Sequence, residues 1–207
     1  MLGGAAKGTF ARLDAGTEEG FEAHYVPLRE VVRETGLDGL DLDVEEEVSL
    51  GGVVRLIDRL KGDFGQGFEI TMAPVVGAMV GGRHLSGFDY EALEVMRGAV
   101  IGAYHVQFYN GWGSVMDMGL VGEVMGRGWR HEKVVLGVLT HPGNGEGFVG
   151  WEEVGRVLGW VREVWPRFGG VMGWEYFNCV VEGGREGRPW EWAEGMRRFV
   201  RDCEEVE

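Results

Sequence analysis

Six short apolar segments punctuate the chain, at residues 1–4, 37–45, 68–75, 103–109, 133–139 and 170–177. The stretch between each and the next is long enough for one helix, which gives a period of about 30 residues or slightly more, the length of a βα unit. Three of the intervening stretches carry helical periodicity. Phe21, Tyr25, Leu28 and Val32 fall on one face, as do Val53, Leu56, Ile57 and Leu60 behind Ser49 as an N-cap, and Val154, Val157, Leu158, Val161 and Trp165. Such stripes bury against a sheet and predict architecture rather than chemistry. Glycine, 38 of 207 residues, gathers between the apolar segments at 81–82, 145–150 and 183–187, which marks loops there.

Repeated βα units either close into a barrel or lie in an open doubly wound sheet. The second choice calls for a glycine-rich phosphate loop after the first strand. Residues 3–8 (GGAAKG) lack that spacing, so the expected fold is α/β, a TIM (β/α)8-type barrel, with residues 1–207 as a single domain. A barrel of eight units typically takes about 250 residues. Six strands leave two units, roughly 60 to 70 residues, unaccounted for. The pattern therefore predicts a partial barrel, truncated at its N-terminus, with strand edges open to pairing with another chain.

Charge narrows the partners. With 20 Lys+Arg against 34 Asp+Glu, the net charge of −14 argues against a nucleic-acid or anionic-membrane surface. No stretch approaches the roughly 18 consecutive apolar residues of a membrane span, and no basic region leads into an apolar run as a signal peptide requires. Cys179 and Cys203 are the two cysteines. With a helix starting near Trp190, Cys203 lies roughly 20 Å along its axis and points away from Cys179, which argues against a disulfide. His84, His105 and His141 have no metal-like spacing, and neither a metal site nor a cofactor is expected.

The sharpest local signal is residues 38–45, DGLDLDVE. Strand side chains alternate, so Leu40, Leu42 and Val44 share one face while Asp41, Asp43 and Glu45 share the other. The apolar face packs under helices, and the acidic face points where a structural strand carries Val, Ile or Leu. Carboxylates at alternate positions stand roughly 7 Å apart and cannot all ionise in a sheltered site without strong repulsion, so at least one is expected to hold its proton near neutral pH. Glu45, at the C-terminal end where barrel active sites lie, is the candidate general acid. A solvated edge strand conflicts with the buried leucines, and a calcium loop lacks its twelve-residue pattern.

This run resembles the DxxDxDxE signature of glycoside hydrolase family 18, the chitinases and endo-β-N-acetylglucosaminidases. Other segments are similar in order: residues 2–4 (LGG) to the end of the family's third strand, with Met1 where a serine would be, 71–74 (TMAP) to the fifth, 107–110 (QFYN) to the sixth and 170–174 (GVMGW) to the eighth. Residues 107–113 (QFYNGWG) and 169–178 (GGVMGWEYFN) are most similar to the fungal endo-β-N-acetylglucosaminidases that cut the chitobiose core of N-glycans.

The resemblance implies retaining hydrolysis of the β-1,4 bond after N-acetylglucosamine, with the substrate's own acetamido oxygen as nucleophile. Glu45 would protonate the leaving oxygen. Asp43 would hold the acetamido N–H and stabilise the oxazolinium, with Asp41 tuning Asp43. Tyr109 would polarise the acetamido carbonyl. Trp174 would floor the subsite under a sugar ring, and Gln107, Asn110, Asp38 and Met72 would contribute to substrate binding, although the even position of Asp38 puts it off the inward face unless the strand bulges. Trp112, Glu175 and Asn178 follow strand ends and are further sugar-contact candidates, whereas Trp151, Trp160 and Trp165 at helical spacing are expected to pack.

The implied partner is an oligosaccharide or glycoprotein glycan containing N-acetylglucosamine, and the implied location is secreted. Chitinase remains the close alternative. A carbohydrate-binding remnant without catalysis remains the alternative of another class.

Overall fold

A computed structural model describes residues 1–201 of the chain. Its six strands, β1 (Leu2–Gly3), β2 (Gly39–Asp43), β3 (Glu69–Met72), β4 (Ala103–Gln107), β5 (Val134–Leu139) and β6 (Gly170–Trp174), follow one another in the sheet in chain order. The pairings β1–β2, β2–β3, β3–β4 and β5–β6 are parallel. With helices between the strands, this is the order of an α/β TIM barrel over six of its eight strands. The chain divides into two compact units, Met1–Tyr104 and His105–Glu207.

In the first unit, helix α1 (Thr9–Leu13) precedes α2 (Glu18–Thr35), and α3 (Leu50–Phe64), α4 (Val76–Met79) and α5 (Tyr90–Arg97) follow β2 and β3. The α2 stripe is buried at Phe21, Tyr25 and Val32, and the α3 stripe at Val53, Leu56, Ile57 and Leu60. Both helices start where a hydroxyl side chain satisfies an orphan amide. The Thr17 hydroxyl accepts from Gly20 N–H at 3.1 Å, and the Ser49 hydroxyl accepts from Gly52 N–H at 3.0 Å. The Ser49 hydroxyl also donates to Asp14 Oδ1 at 2.6 Å, which ties the cap to the loop after α1. Ser49→Ala removes both bonds and is expected to lower stability by about 1–2 kcal/mol, against a few tenths less for Ser49→Gly relative to a retained cap, read from chemical unfolding.

The second unit adds α6 (Met118–Gly126), α7 (Trp151–Val164) and α8 (Pro189–Val200). All six residues of β5 are buried, as expected of a parallel strand covered on both faces. Close approach of α7 and α8 depends on Gly155 and Gly195, where a Cβ would strike the Phe199 ring and the Trp151 indole. Those two rings meet edge to face at 6.1 Å, and Trp160 meets Trp165 at 5.5 Å, so the three tryptophans at helical spacing do pack. Cys179 is buried and its thiol donates to the Arg188 carbonyl at 3.3 Å, while Cys203 lies outside the described residues. Among the described residues no helix is long and apolar enough to cross a membrane.

Candidate active site

β2 alternates as its sequence predicts. Leu40, Leu42 and Val44 are buried, and Asp43 on the opposite parity is only 5% exposed. Asp41 and Glu45 are half-buried, so the acidic run does not splay into bulk water. The strand itself is shorter than the expected 37–45 and stops at Asp43, which leaves Glu45 two residues beyond the sheet.

The walls around these carboxylates come from three other segments of the same unit. Thr71 on β3 stands in register with Asp41 and donates its hydroxyl to Asp41 Oδ1 at 2.7 Å. Gly4 N–H donates to the Asp43 carbonyl at 2.9 Å, and Gly3 stands in register with Asp43. Tyr90, at the start of α5, is 1% exposed, and its hydroxyl lies 3.3 Å from that of Ser86. Burial, partly offset by the Ser86 hydroxyl, pushes the Tyr90 phenol well above its ordinary value, and the charges of Asp43, Asp41 and Glu45 push it further. The Tyr90 phenol therefore stays neutral.

Two residues assigned to substrate binding fall elsewhere. Met72 is 0% exposed and in register with Leu42 and Tyr104, on the parity opposite to Asp41 and Thr71. It packs in the core and offers no surface to a ligand. On that strand Thr71 and Glu69 share the parity of the acidic face, and Thr71 is the one opposite Asp41, which alternation would have identified once the register was known. Asp38 is exposed just before β2 begins, about 20 Å along the chain from Glu45 at ~3.3 Å per residue, so strand geometry sets it apart from the acidic end.

In the second unit Gln107 ends β4, and Tyr109 follows two residues later; both are 4% exposed. Asn110 has a left-handed backbone, φ 54°, and pairs with residue 146 in both directions. Its N–H donates to the Glu146 carbonyl at 2.8 Å and its Oδ1 accepts from Glu146 N–H at 2.8 Å, so the side-chain oxygen holds a loop. Trp174 closes β6 and is half-buried. Its carbonyl accepts from Thr140 N–H at 2.8 Å and from Asn144 Nδ2 at 3.0 Å.

The Asn144 and Asn178 amides pair reciprocally at 3.0 and 2.7 Å, and the Thr140 hydroxyl lies 2.7 and 2.8 Å from the carbonyl oxygens of Glu175 and Asn178. Asn178 thus braces the segment after Trp174. Thr140 and Asn144 carried no sequence signal, because their partners lie 30 to 38 residues away. Tyr176 and Phe177 are exposed at 62% and 85% on the same segment and meet edge to face. Among the described residues, no group of three or more His, Cys, Asp or Glu side chains is arranged to hold a metal ion.

No protein-family model matches the chain, and no curated protein matches it. Solved structures do. A chitinase, ChiC, from Aspergillus fumigatus is 53% identical over 95% of this chain and 70% of its own, with a TM-score of 0.86. A fungal endo-β-N-acetylglucosaminidase from glycosyl hydrolase family 18 is 41% identical over 96% of this chain and 70% of its own, with a TM-score of 0.89. A chitinase from Pseudoalteromonas aurantia, at 18% identity and a TM-score of 0.73, shares the fold. A six-stranded parallel α/β sheet with an acidic strand, aligned at these identities, defines a glycosidase of the barrel type, and the chain belongs to glycoside hydrolase family 18.

Proposed function

We propose that the chain hydrolyses the β-1,4 bond between two N-acetylglucosamine units with retention, and that its substrate is the chitobiose core of N-glycans. The observation that carries the reading is the acidic run on β2, with Asp43 buried and Asp41 held by Thr71.

In this reading the protonated Glu45 carboxyl gives its proton to the leaving oxygen as the C1–O bond breaks. The carbonyl oxygen of the sugar's own acetamide attacks C1 and forms the oxazolinium. Asp43 accepts the acetamido N–H and offsets the developing positive charge. Asp41, held by Thr71, tunes Asp43 by sharing a proton with it. Glu45, now ionised, takes a proton from water, which adds to C1 and opens the ring; two inversions give net retention. Tyr109 donates to the acetamido carbonyl, and Trp174 lies under the sugar ring. Gln107 lines the same subsite, Asn110 acts through its loop, and Asp38 and Met72 take no part.

Residues 1–207 act as one catalytic domain in this proposal. A secreted location is part of it and rests on the resemblance alone. The segments 107–113 and 169–178 favour the N-glycan core. The 53% identity to a protein named a chitinase favours chitin oligomers as the second reading. Release of an intact high-mannose glycan from a denatured glycoprotein, run beside cleavage of a chitin oligomer, separates them. Glycan release is expected. Cleavage of chitin alone overturns the glycan reading, and hydrolysis of neither leaves only sugar binding.

A further inference from the structure

We propose that Glu46 and Ser86 are positioning residues for Glu45; the inference rests on the catalytic reading of Glu45 given above. Because β2 ends at Asp43, no sheet pairing fixes the chain where Glu45 sits, and residues 44–49 are irregular up to the start of α3. Side chains do the fixing instead.

The Glu46 carboxylate accepts Gly8 N–H on Oε2 at 2.8 Å and Phe10 N–H on Oε1 at 2.7 Å, one backbone donor per oxygen. Ser86, 3% exposed, donates its hydroxyl to the Val44 carbonyl at 2.7 Å, and its own carbonyl accepts Val48 N–H at 3.0 Å. Gly87, with φ +76°, brings this second loop so close that a Cβ there would stand 3.0 Å from the Cα of Glu47. Further on, Asp14 accepts Ser49 N–H at 2.8 Å.

Glu45 therefore lies between two neighbours anchored to different parts of the unit: Val44 to the loop before α5, and Glu46 to the start of α1. Its backbone is thereby held from both sides. A proton donor must sit within hydrogen-bond reach of the leaving oxygen, and a displacement of 1 Å costs on the order of 100-fold in rate. Charge-assisted bonds from a carboxylate to two backbone amides are the strong kind, and they lie in a segment with no other regular structure. Glu46 is thus separated in role from its neighbour Glu45 although the two are identical in type.

The test compares Glu46→Ala, Glu46→Gln and Ser86→Ala with Val157→Ala, a buried α7 substitution that lowers stability without touching this segment. Two readouts are taken below the unfolding temperature of every variant: kcat and KM on an aryl chitobioside, and amide hydrogen exchange across residues 44–49. Glu46→Ala and Ser86→Ala are expected to lower kcat roughly 10- to 100-fold with KM within about twofold, and to speed exchange in that segment.

Glu46→Gln, which keeps one carbonyl acceptor, should retain more of the rate than Glu46→Ala. Val157→Ala should keep kcat. Unchanged exchange at 44–49, unchanged kcat, or an equal loss in Val157→Ala overturns the proposal. An unaltered chain that hydrolyses nothing overturns the catalytic reading itself, and the exchange arm then decides alone whether the brace exists.

Discussion

Glu45→Gln is expected to lower kcat by roughly 10²–10⁴-fold while leaving affinity for a thiazoline mimic of the cyclised intermediate nearly unchanged. The amide has almost the same shape as the carboxyl and keeps a hydrogen-bonding end, so the sugar binding proposed for Asp43, Tyr109 and Trp174 should persist. It has no acidic proton for the leaving oxygen, and its neutral carbonyl is a poor base for water, so both halves of the reaction slow. Steady-state kinetics and calorimetric titration of the mimic read the two effects separately. A variant that loses binding together with rate would point to Glu45 as a contact, and one that keeps its rate would remove it from the chemistry. Asp43→Asn should behave differently, weakening the mimic as well, because the charge that stabilises the oxazolinium is gone.

Gly3→Ala carries the largest expected cost in stability. Gly3 has φ +96°, and a Cβ there would strike the Asp43 carbonyl oxygen and the Phe10 ring. Backbone strain of about 1–2 kcal/mol and overpacking of about 1–3 kcal/mol together predict a loss of roughly 2–5 kcal/mol, a large share of the 5–15 kcal/mol typical of a folded domain. Gly36, at the C-terminus of α2, isolates the strain: its φ is +65° and nothing lies within 4 Å of an added Cβ. Gly36→Ala should therefore cost only about 1–2 kcal/mol. Urea unfolding of both variants measures the difference, and equal losses would mean that no collision occurs at Asp43. Since the displaced atom belongs to Asp43, Gly3→Ala should also lose activity at temperatures where it remains folded.

Much of this framework is readable from the chain because each strand answers to a local rule. β5 is a continuous apolar run, β2 alternates acid with leucine, and the stripes of α2, α3 and α7 repeat at helical spacing. Ser49 announces the start of α3 through its position before the stripe. Boundaries are less legible: pattern alone extends β2 to residue 45, whereas pairing with β3 stops at Leu42↔Met72 and Ala73 N–H closes onto the Leu42 carbonyl.

The five residues of α1 are too few to form a stripe and leave no signal. In the site, motif resemblance drew Met72 toward the substrate although strand parity belongs to Thr71, an error that register alone corrects. Glu46, Ser86 and Asn144 act through partners 30 to 42 residues distant, and no local pattern encodes such pairings.

In the proposed mechanism the substrate's acetamide, and no residue of the chain, attacks the anomeric carbon while Glu45 supplies the proton. Initial rates on an aryl chitobioside, compared with an analogue whose reacting sugar carries a trifluoroacetamide, test it most directly. Fluorine withdraws electrons from the carbonyl oxygen and weakens it as a nucleophile, so the rate should fall steeply with KM little changed. Equal rates on the two substrates would mean that the acetamide is not the nucleophile.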